Sequence, residues 1–257
     1  RPAQHYSMGG VRTDHRGRAL GLDGLFAVGE AACWDLHGFN RLGGNSLAET
    51  VVAGKIVGQK IARFLQGYEA AFKTSQVRSA VLRAQECIDR IRLCKDGTEN
   101  VYELRNAMQD ELMERVGIFR NGGELQTAVE NLQTIYERAQ HVGIRSNGLG
   151  ASPELTLALS FKGMVRLALC VAYAALMRTE SRGCHAREDF EERNDRDWLK
   201  RTLATWKEGE SLPDLDYEPN SAVWEIPPGE RGYGACKIIR SEDPAVCRVG
   251  EGTPEQN

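Results

Sequence analysis

Phe26-Ala27-Val28-Gly29-Glu30 and, after a short loop, Arg41-Leu42-Gly43-Gly44-Asn45-Ser46-Leu47-Ala48-Glu49 form the most informative stretch of this chain. The apolar run Leu25, Phe26, Ala27 and Val28 is bounded by Gly24 and Gly29 and ends in an acid. That pattern predicts a buried strand that delivers Glu30 to a ligand at its carboxyl end. A glycine-rich loop follows, then a helix whose start is marked by Ser46 as N-cap with Glu49 three residues on, the spacing of a capping box. Leu47, Val51, Val52, Ile56, Val57, Ile61, Phe64 and Leu65 recur at helical spacing up to Gly67, predicting one inward face. The loop therefore feeds a helix N-terminus, whose unpaired N–H groups carry partial positive charge. Gly43 and Gly44 let a ligand approach the backbone, and Arg41 adds a guanidinium able to grip a carboxylate with two hydrogen bonds. The result is an anion-stabilising corner. Strand, glycine loop and helix serve phosphates, or packing alone, in many α/β folds, so spacing by itself leaves the ligand open.

Three motifs in order, His5-Tyr6-Ser7-Met8-Gly9-Gly10 and the two quoted above, together resemble the flavoprotein subunit of succinate dehydrogenase and fumarate reductase. A further stretch, Ser181-Arg182-Gly183-Cys184-His185-Ala186-Arg187-Glu188-Asp189-Phe190, is similar to that family's C-terminal region, where alanine is commoner than Cys184. The resemblance weakens after about Trp206, and the tail to Asn257 carries no family motif. It implies FAD as cofactor and fumarate or succinate as substrate. Carried over position by position, His5 and Arg41 hold the substrate carboxylates with help from the backbone near Gly44, while Glu30, Ser46 and Leu47 contact FAD. His5 read without the motif is a histidine satisfied in a turn.

The family's proton-delivering arginine, and the histidine that can anchor the flavin covalently, match nothing in this chain, so no catalytic proton donor is assigned to it. The implied partners are an iron-sulfur protein subunit and, indirectly, a membrane anchor subunit, which implies a peripheral location on the cytoplasmic side of the inner membrane. The chain opens Arg1-Pro2-Ala3-Gln4, without an initiator methionine or a Gly-x-Gly-x-x-Gly. It is therefore expected to be a C-terminal fragment, lacking the family's dinucleotide-binding half and capping domain and inactive alone. Two other readings stand beside this one. An L-aspartate oxidase shares a similar His-Tyr pattern and Asn-Arg-Leu loop, although Gly43-Gly44 and the 181–190 motif lean away from it. A helical docking module for an iron-sulfur partner would need no chemistry of its own.

Composition narrows the classes further. A chain of 257 residues, 41% of them hydrophobic, can bury one large core or two smaller ones. A net charge of -3 from 33 basic and 36 acidic residues argues against a nucleic-acid partner, which needs a clustered basic face. The seven cysteines, Cys33, Cys87, Cys94, Cys170, Cys184, Cys236 and Cys247, contain no C-x-x-C pair and fit reduced thiols; no metal or iron-sulfur ligand set is visible. No signal peptide is expected, and no uninterrupted apolar run approaches the ~20 residues of a membrane span.

The expected fold class is α+β overall, in three parts. Residues 1–68 are the C-terminal segment of an FAD-binding α/β domain, 75–180 an antiparallel helical bundle, and 181–257 a loop-rich region with short strands. Helices are predicted over 75–95, from Asn100 with Glu103 as a second capping box, over 124–140, and over 153–178, opened by Ser152 as N-cap and Pro153 at the first position. The last is apolar on more than one face and is expected at the centre of the bundle, with Lys162 and Arg166 interrupting it. His15 sits in an exposed turn and is given no role. His37 either holds its loop or touches ligand, the first being expected. Arg182, His185 and Arg187 either line the way to the flavin domain, contact an electron-transfer subunit, or pack. Trp198, Trp206 and Trp224 anchor the tail.

Overall fold

The structure is a computed structural model that describes residues 6–38, 41–68, 73–94, 97–145 and 150–219, with the backbone of 238–239. It divides into two compact units, 1–77 and 78–257.

In the first unit β1 (Val11–Arg12) pairs in parallel with β2 (Ala32–Cys33). Between them the chain doubles back at a turn where Asp14 Oδ1 accepts the N–H groups of Arg16 and Arg18. The strand expected at 25–28 is absent: Phe26 makes one isolated bridge, to Arg18, and Glu30 lies in a 3-10 turn, Gly29–Ala31, ahead of β2. Val28 is extended, but the segment has no ladder beyond that bridge, and Gly29, with a φ of 66°, turns the chain immediately after it. Helix α1 (Asn45–Gln66) ends at Gly67 as the sequence predicts, but its N-cap is Gly44 at φ 82°, with no side chain capping it. Ser46 and Glu49 are not a capping box, since Glu49 is drawn inward to other donors. The expected inward stripe is also corrected: Val57 is buried against Gly17, while Leu47 and Val51 are 76% and 70% exposed. Helix α2 (Thr74–Leu93) follows and buries no residue; the boundary between the units falls in its first turn.

The second unit is built on α3 (Val101–Arg115), α4 (Gly122–Arg138) and α5 (Pro153–Met177). Their starts are set by short polar side chains. Asn100 Oδ1 accepts from Tyr102 N–H, Asn121 Oδ1 from Glu124 N–H, and Ser152 Oγ from Leu155 N–H, with Pro153 at the first helical position. Apolar residues three and four apart then meet in one core: Leu104 and Met108 of α3, Leu125 and Leu132 of α4, Phe161, Val165 and Leu169 of α5. Among its described neighbours α5 buries a single stripe, not the whole circumference expected of a central helix; Leu167 and Val171 face outward. By length and composition α5 is apolar enough to cross a membrane, with a mean hydropathy of 1.6 in its most apolar window.

Short elements fasten the end of this unit. Strand β3 (Phe119–Arg120) pairs in parallel with β4 (Ala186–Arg187), and β5 (Arg193–Asn194) pairs in parallel with β8 (Ile238–Ile239). The four-residue α6 (Asp195–Trp198) leads into an antiparallel pair, β6 (Lys200–Thr205) and β7 (Asp214–Pro219), with Lys200 opposite Pro219 and Thr205 opposite Asp214. Trp198 packs edge-on to Tyr217 and Trp206 against Tyr136, as the anchoring role predicts; Trp224 lies outside the described residues.

Phe161→Ala should therefore cost about 3–5 kcal/mol by opening a cavity in the three-helix core, whereas Leu167→Ala on the outward face should cost about 0.5 kcal/mol or less. Urea unfolding of the chain, followed by circular dichroism, checks both; equal losses would mean that α5 is buried on both faces.

Candidate active site

The residues singled out from the sequence fall at the start of α1 and in the loops before it. Arg41 directs its guanidinium over the ring of Tyr6, 5.0 Å from the centroid, an arrangement that holds a cation without neutralising it. Its Nε is buried without a hydrogen-bond partner, as is Ser46 Oγ one turn on. A Cβ added at Gly43 or Gly44 would meet nothing within 4 Å, so the backbone is open to a ligand, and the φ of 82° at Gly44 requires glycine. Ser46 and Leu47 occupy the first turn of α1, where the helical ladder offers no acceptor for N–H. Glu30 is exposed, and its Oε1 accepts the backbone N–H of Ser7 at 2.7 Å, tying the 6–10 segment to the turn ahead of β2. Gly10 lies so close to this turn that a Cβ there would stand 2.5 Å from the carbonyl oxygen of Ala31. His5 lies outside the described residues.

The residue that sequence reasoning misplaced is Glu49, which is 6% exposed. Its Oε1 accepts from Trp34 Nε1 at 2.9 Å; its Oε2 accepts from Tyr6 OH at 3.3 Å and lies 2.9 Å from His37 Nε2. Burial alone would raise this carboxyl, but the hydrogen bonds from Trp34, His37 and Tyr6 bring it below its ordinary value. The same contacts raise the Tyr6 hydroxyl, through burial first and then the neighbouring Glu49 charge. His37 is thus held within the protein, as its loop-holding role predicts, and packs edge-on to Tyr6. Beside these groups lies a cavity of about 310 Å³, lined chiefly by apolar side chains, including Val28, Val52 and Ile56, together with Trp34 and His37. Open backbone, two orphaned polar atoms, a cation and a helix start fit an anionic, partly apolar group such as FAD.

In the second unit Arg182, His185 and Arg187 are engaged in packing. Arg187 is 3% exposed; it meets Asp189 through Nε and Nη2 at 2.7 Å each, and its Nη1 donates to the carbonyls of Ala175, Leu176 and Arg178, closing the end of α5. Glu180, fully buried, accepts from Arg178, from Arg182 through two nitrogens, and from Asn194 N–H. Arg120 Nη1 donates to His185 Nδ1 at 2.8 Å, so that nitrogen carries no proton and Nε2–H donates to the Arg178 carbonyl. Burial first, then the surrounding guanidinium groups, push His185 down to about 4. Cys184 is exposed beside this network and unpaired with any other cysteine.

The geometry at the start of α1 suits an anionic, partly apolar ligand, and residues 1–47 match the family described as FAD binding domain. Residues 105–233 match the family described as Fumarate reductase flavoprotein C-term, and the chain belongs to that family. FAD as the cofactor agrees with both matches. Among curated relatives, the fumarate reductase flavoprotein subunit of Helicobacter pylori is 45% identical over 91% of this chain and 33% of its own length. The succinate dehydrogenase flavoprotein subunit of Rickettsia bellii is 33% identical over 90% of the chain and 41% of its own length. A solved quinol fumarate reductase of E. coli superposes with a TM-score of 0.78 at 33% identity, over 90% of this chain and 39% of that one. The chain thus spans about a third to two-fifths of the length of these relatives.

The neutral His185 has a measurable consequence. Its folded value of about 4 lies below its ordinary 6.5, so between those values the unfolded chain binds more protons than the folded one. Stability is fully present above pH 6.5 and falls as pH drops toward 4, with a slope approaching ~1.4 kcal/mol per pH unit for one proton. Asp189, held down to about 2 by Arg187, adds a second loss between 3.8 and 2. His185→Asn, which keeps an acceptor for Arg120, should flatten the decline between pH 6.5 and 4 in urea titrations. Parallel curves for variant and parent would show that this histidine titrates at its ordinary value in the folded state.

Proposed function

We propose that this chain supplies the substrate clamp and part of the flavin contacts of an FAD-dependent oxidoreductase that interconverts fumarate and succinate. The observation that carries the reading is Arg41. Its guanidinium is positioned by an aromatic ring, leaves Nε free of protein partners, and stands just before an open glycine pair and a helix N-terminus. A planar dicarboxylate matches that fork through two parallel N–H donors, which a lysine cannot reproduce. His5 serves as the second carboxylate ligand and the backbone at Gly44 as a third contact. Glu30, Ser46 and Leu47 hold FAD, which when bound supplies hydride exchange with the carbon–carbon bond of the substrate. The start of α1 favours negative charge on the cofactor beside it. Proton delivery is assigned to a residue outside this chain, so the chain by itself is inactive.

The same reading gives the protein an iron-sulfur subunit as its electron partner and, through it and a membrane anchor subunit, a peripheral position on the cytoplasmic side of the inner membrane. The names of the relatives, fumarate reductase and succinate dehydrogenase flavoprotein subunits, support the substrate pair.

Arg41→Lys in the complete flavoprotein should lower fumarate-reducing kcat/KM by about 30-fold or more, the equivalent of losing ~2 kcal/mol of a charged bidentate contact, with flavin content unchanged. Viologen-driven fumarate reduction, read alongside the flavin absorbance, decides the matter. Undiminished turnover in that variant sinks the clamp, and flavin that is bleached by L-aspartate but not reoxidised by fumarate replaces the substrate assignment.

A further inference from the structure

We infer that Glu49 is a positioning residue for the substrate side of this site, fixing Tyr6 and the segment that carries Trp34 and His37 against α1 so that Arg41, stacked on Tyr6, presents its fork in one orientation. The inference rests on the function proposed above and concerns a residue that touches neither substrate nor cofactor there. Three segments distant in sequence converge on one carboxylate. Tyr6 follows His5 directly, Trp34 and His37 precede Arg41, and Glu49 itself stands one turn inside α1. The carboxylate takes Trp34 on one oxygen, with Tyr6 and His37 on the other. Both of its oxygens therefore accept hydrogen bonds from the protein, and its side chain is only 3% exposed, so it serves these three donors before any ligand.

The link to Arg41 runs through one ring. Tyr6 is fixed at its hydroxyl by Glu49 and at its edge by His37, and its face carries the Arg41 guanidinium. An arginine whose Nε has no protein partner keeps its direction only through what it stacks on. Loosening Tyr6 therefore spreads the orientations of the fork without removing its charge. A dicarboxylate would still be attracted, but the fraction of competent clamps would fall, so the loss belongs in binding. The pairing differs from a purely structural buried ion pair in this respect, since that would change stability and cofactor retention together.

The test uses the complete flavoprotein with its partner subunits and compares the parent with Glu49→Gln, Tyr6→Phe and the double variant, all normalised to bound flavin. Glu49→Gln is isosteric, and Tyr6→Phe keeps the ring under Arg41 while deleting the one hydroxyl. Each single variant should raise KM for fumarate, and Kd for the non-reacting dicarboxylate malonate measured by flavin difference absorbance, by about tenfold, with kcat within about twofold. The double variant should be no worse than the worse single one, because both cut the same link. Unchanged Kd in both single variants at full flavin occupancy overturns the inference while leaving the Arg41 clamp standing. So does an additive double variant, or a loss confined to flavin content and thermal stability. A parent enzyme that does not reduce fumarate overturns the function first, and this inference with it.

Discussion

An ionised carboxylate cannot be buried unless its lone pairs are filled, and each unit of this protein is arranged around one that is. In the first, Glu49 gathers an indole, a phenol and an imidazole from the loops before α1. In the second, Glu180 gathers two guanidinium groups and a backbone N–H, and Arg182 passes on to Asp195, which Arg193 also meets. The architectural result is the same in both. Segments too short or too irregular to form strands are held by side chains reaching a fixed charge, and removing either carboxylate would leave several donors buried together without an acceptor.

This explains why a single local pattern had different outcomes. Asn100 and Ser152 before Pro153 were legible as helix starts, and both side chains cap, although Asn100 accepts from Tyr102 N–H and the reciprocal Glu103 bond of a capping box is not among the hydrogen bonds of the described residues. Ser46 followed by Glu49 has equally good spacing, yet Gly44 begins the helix and Glu49 turns away. Local sequence encodes what a side chain can do for its own helix. It does not encode that Trp34, His37 and Tyr6 will stand within reach, and three tertiary donors outweigh one N–H at a cap worth about 1 kcal/mol. Arg41 and the glycine pair were legible as a candidate site because those requirements are local. Its supporting carboxylate was not.

The 181–190 motif was legible as a motif and opaque as to role for a related reason. Arg187 is aimed at the terminal carbonyls of α5, and nothing in an arginine's neighbours states that its acceptors belong to a helix end. Short strands were expected in 181–257, but the place of the β6–β7 pair was not legible because its second strand carries Asp214, Asp216, Glu218 and Pro219, residues depleted in strands. What holds it is cross-element packing: Lys200 sits over the rings of both Trp198 and Tyr217, and Arg178 donates to the carbonyls of Trp198 and Lys200. Arg178 also binds Glu180, so the buried carboxylate extends its hold to the hairpin.

Helix α1 has one further physical consequence for the site it begins. Its outward face carries Leu47, Val51 and Val52, and its start carries the N–H groups assigned to the cofactor. A helix terminus in water is worth about 0.3–1 kcal/mol to a neighbouring anion, and up to ~2 kcal/mol where water is partly excluded. An apolar cofactor held there, as proposed, would exclude water from that start as it binds. Cofactor and helix would then strengthen one another: covering Leu47 would lower the local dielectric in which the N–H groups act on the cofactor's negative charge. On the function proposed above, the exposed leucine at the first turn would serve as a contact surface for the cofactor, and a polar residue at that position would weaken the site on two counts at once.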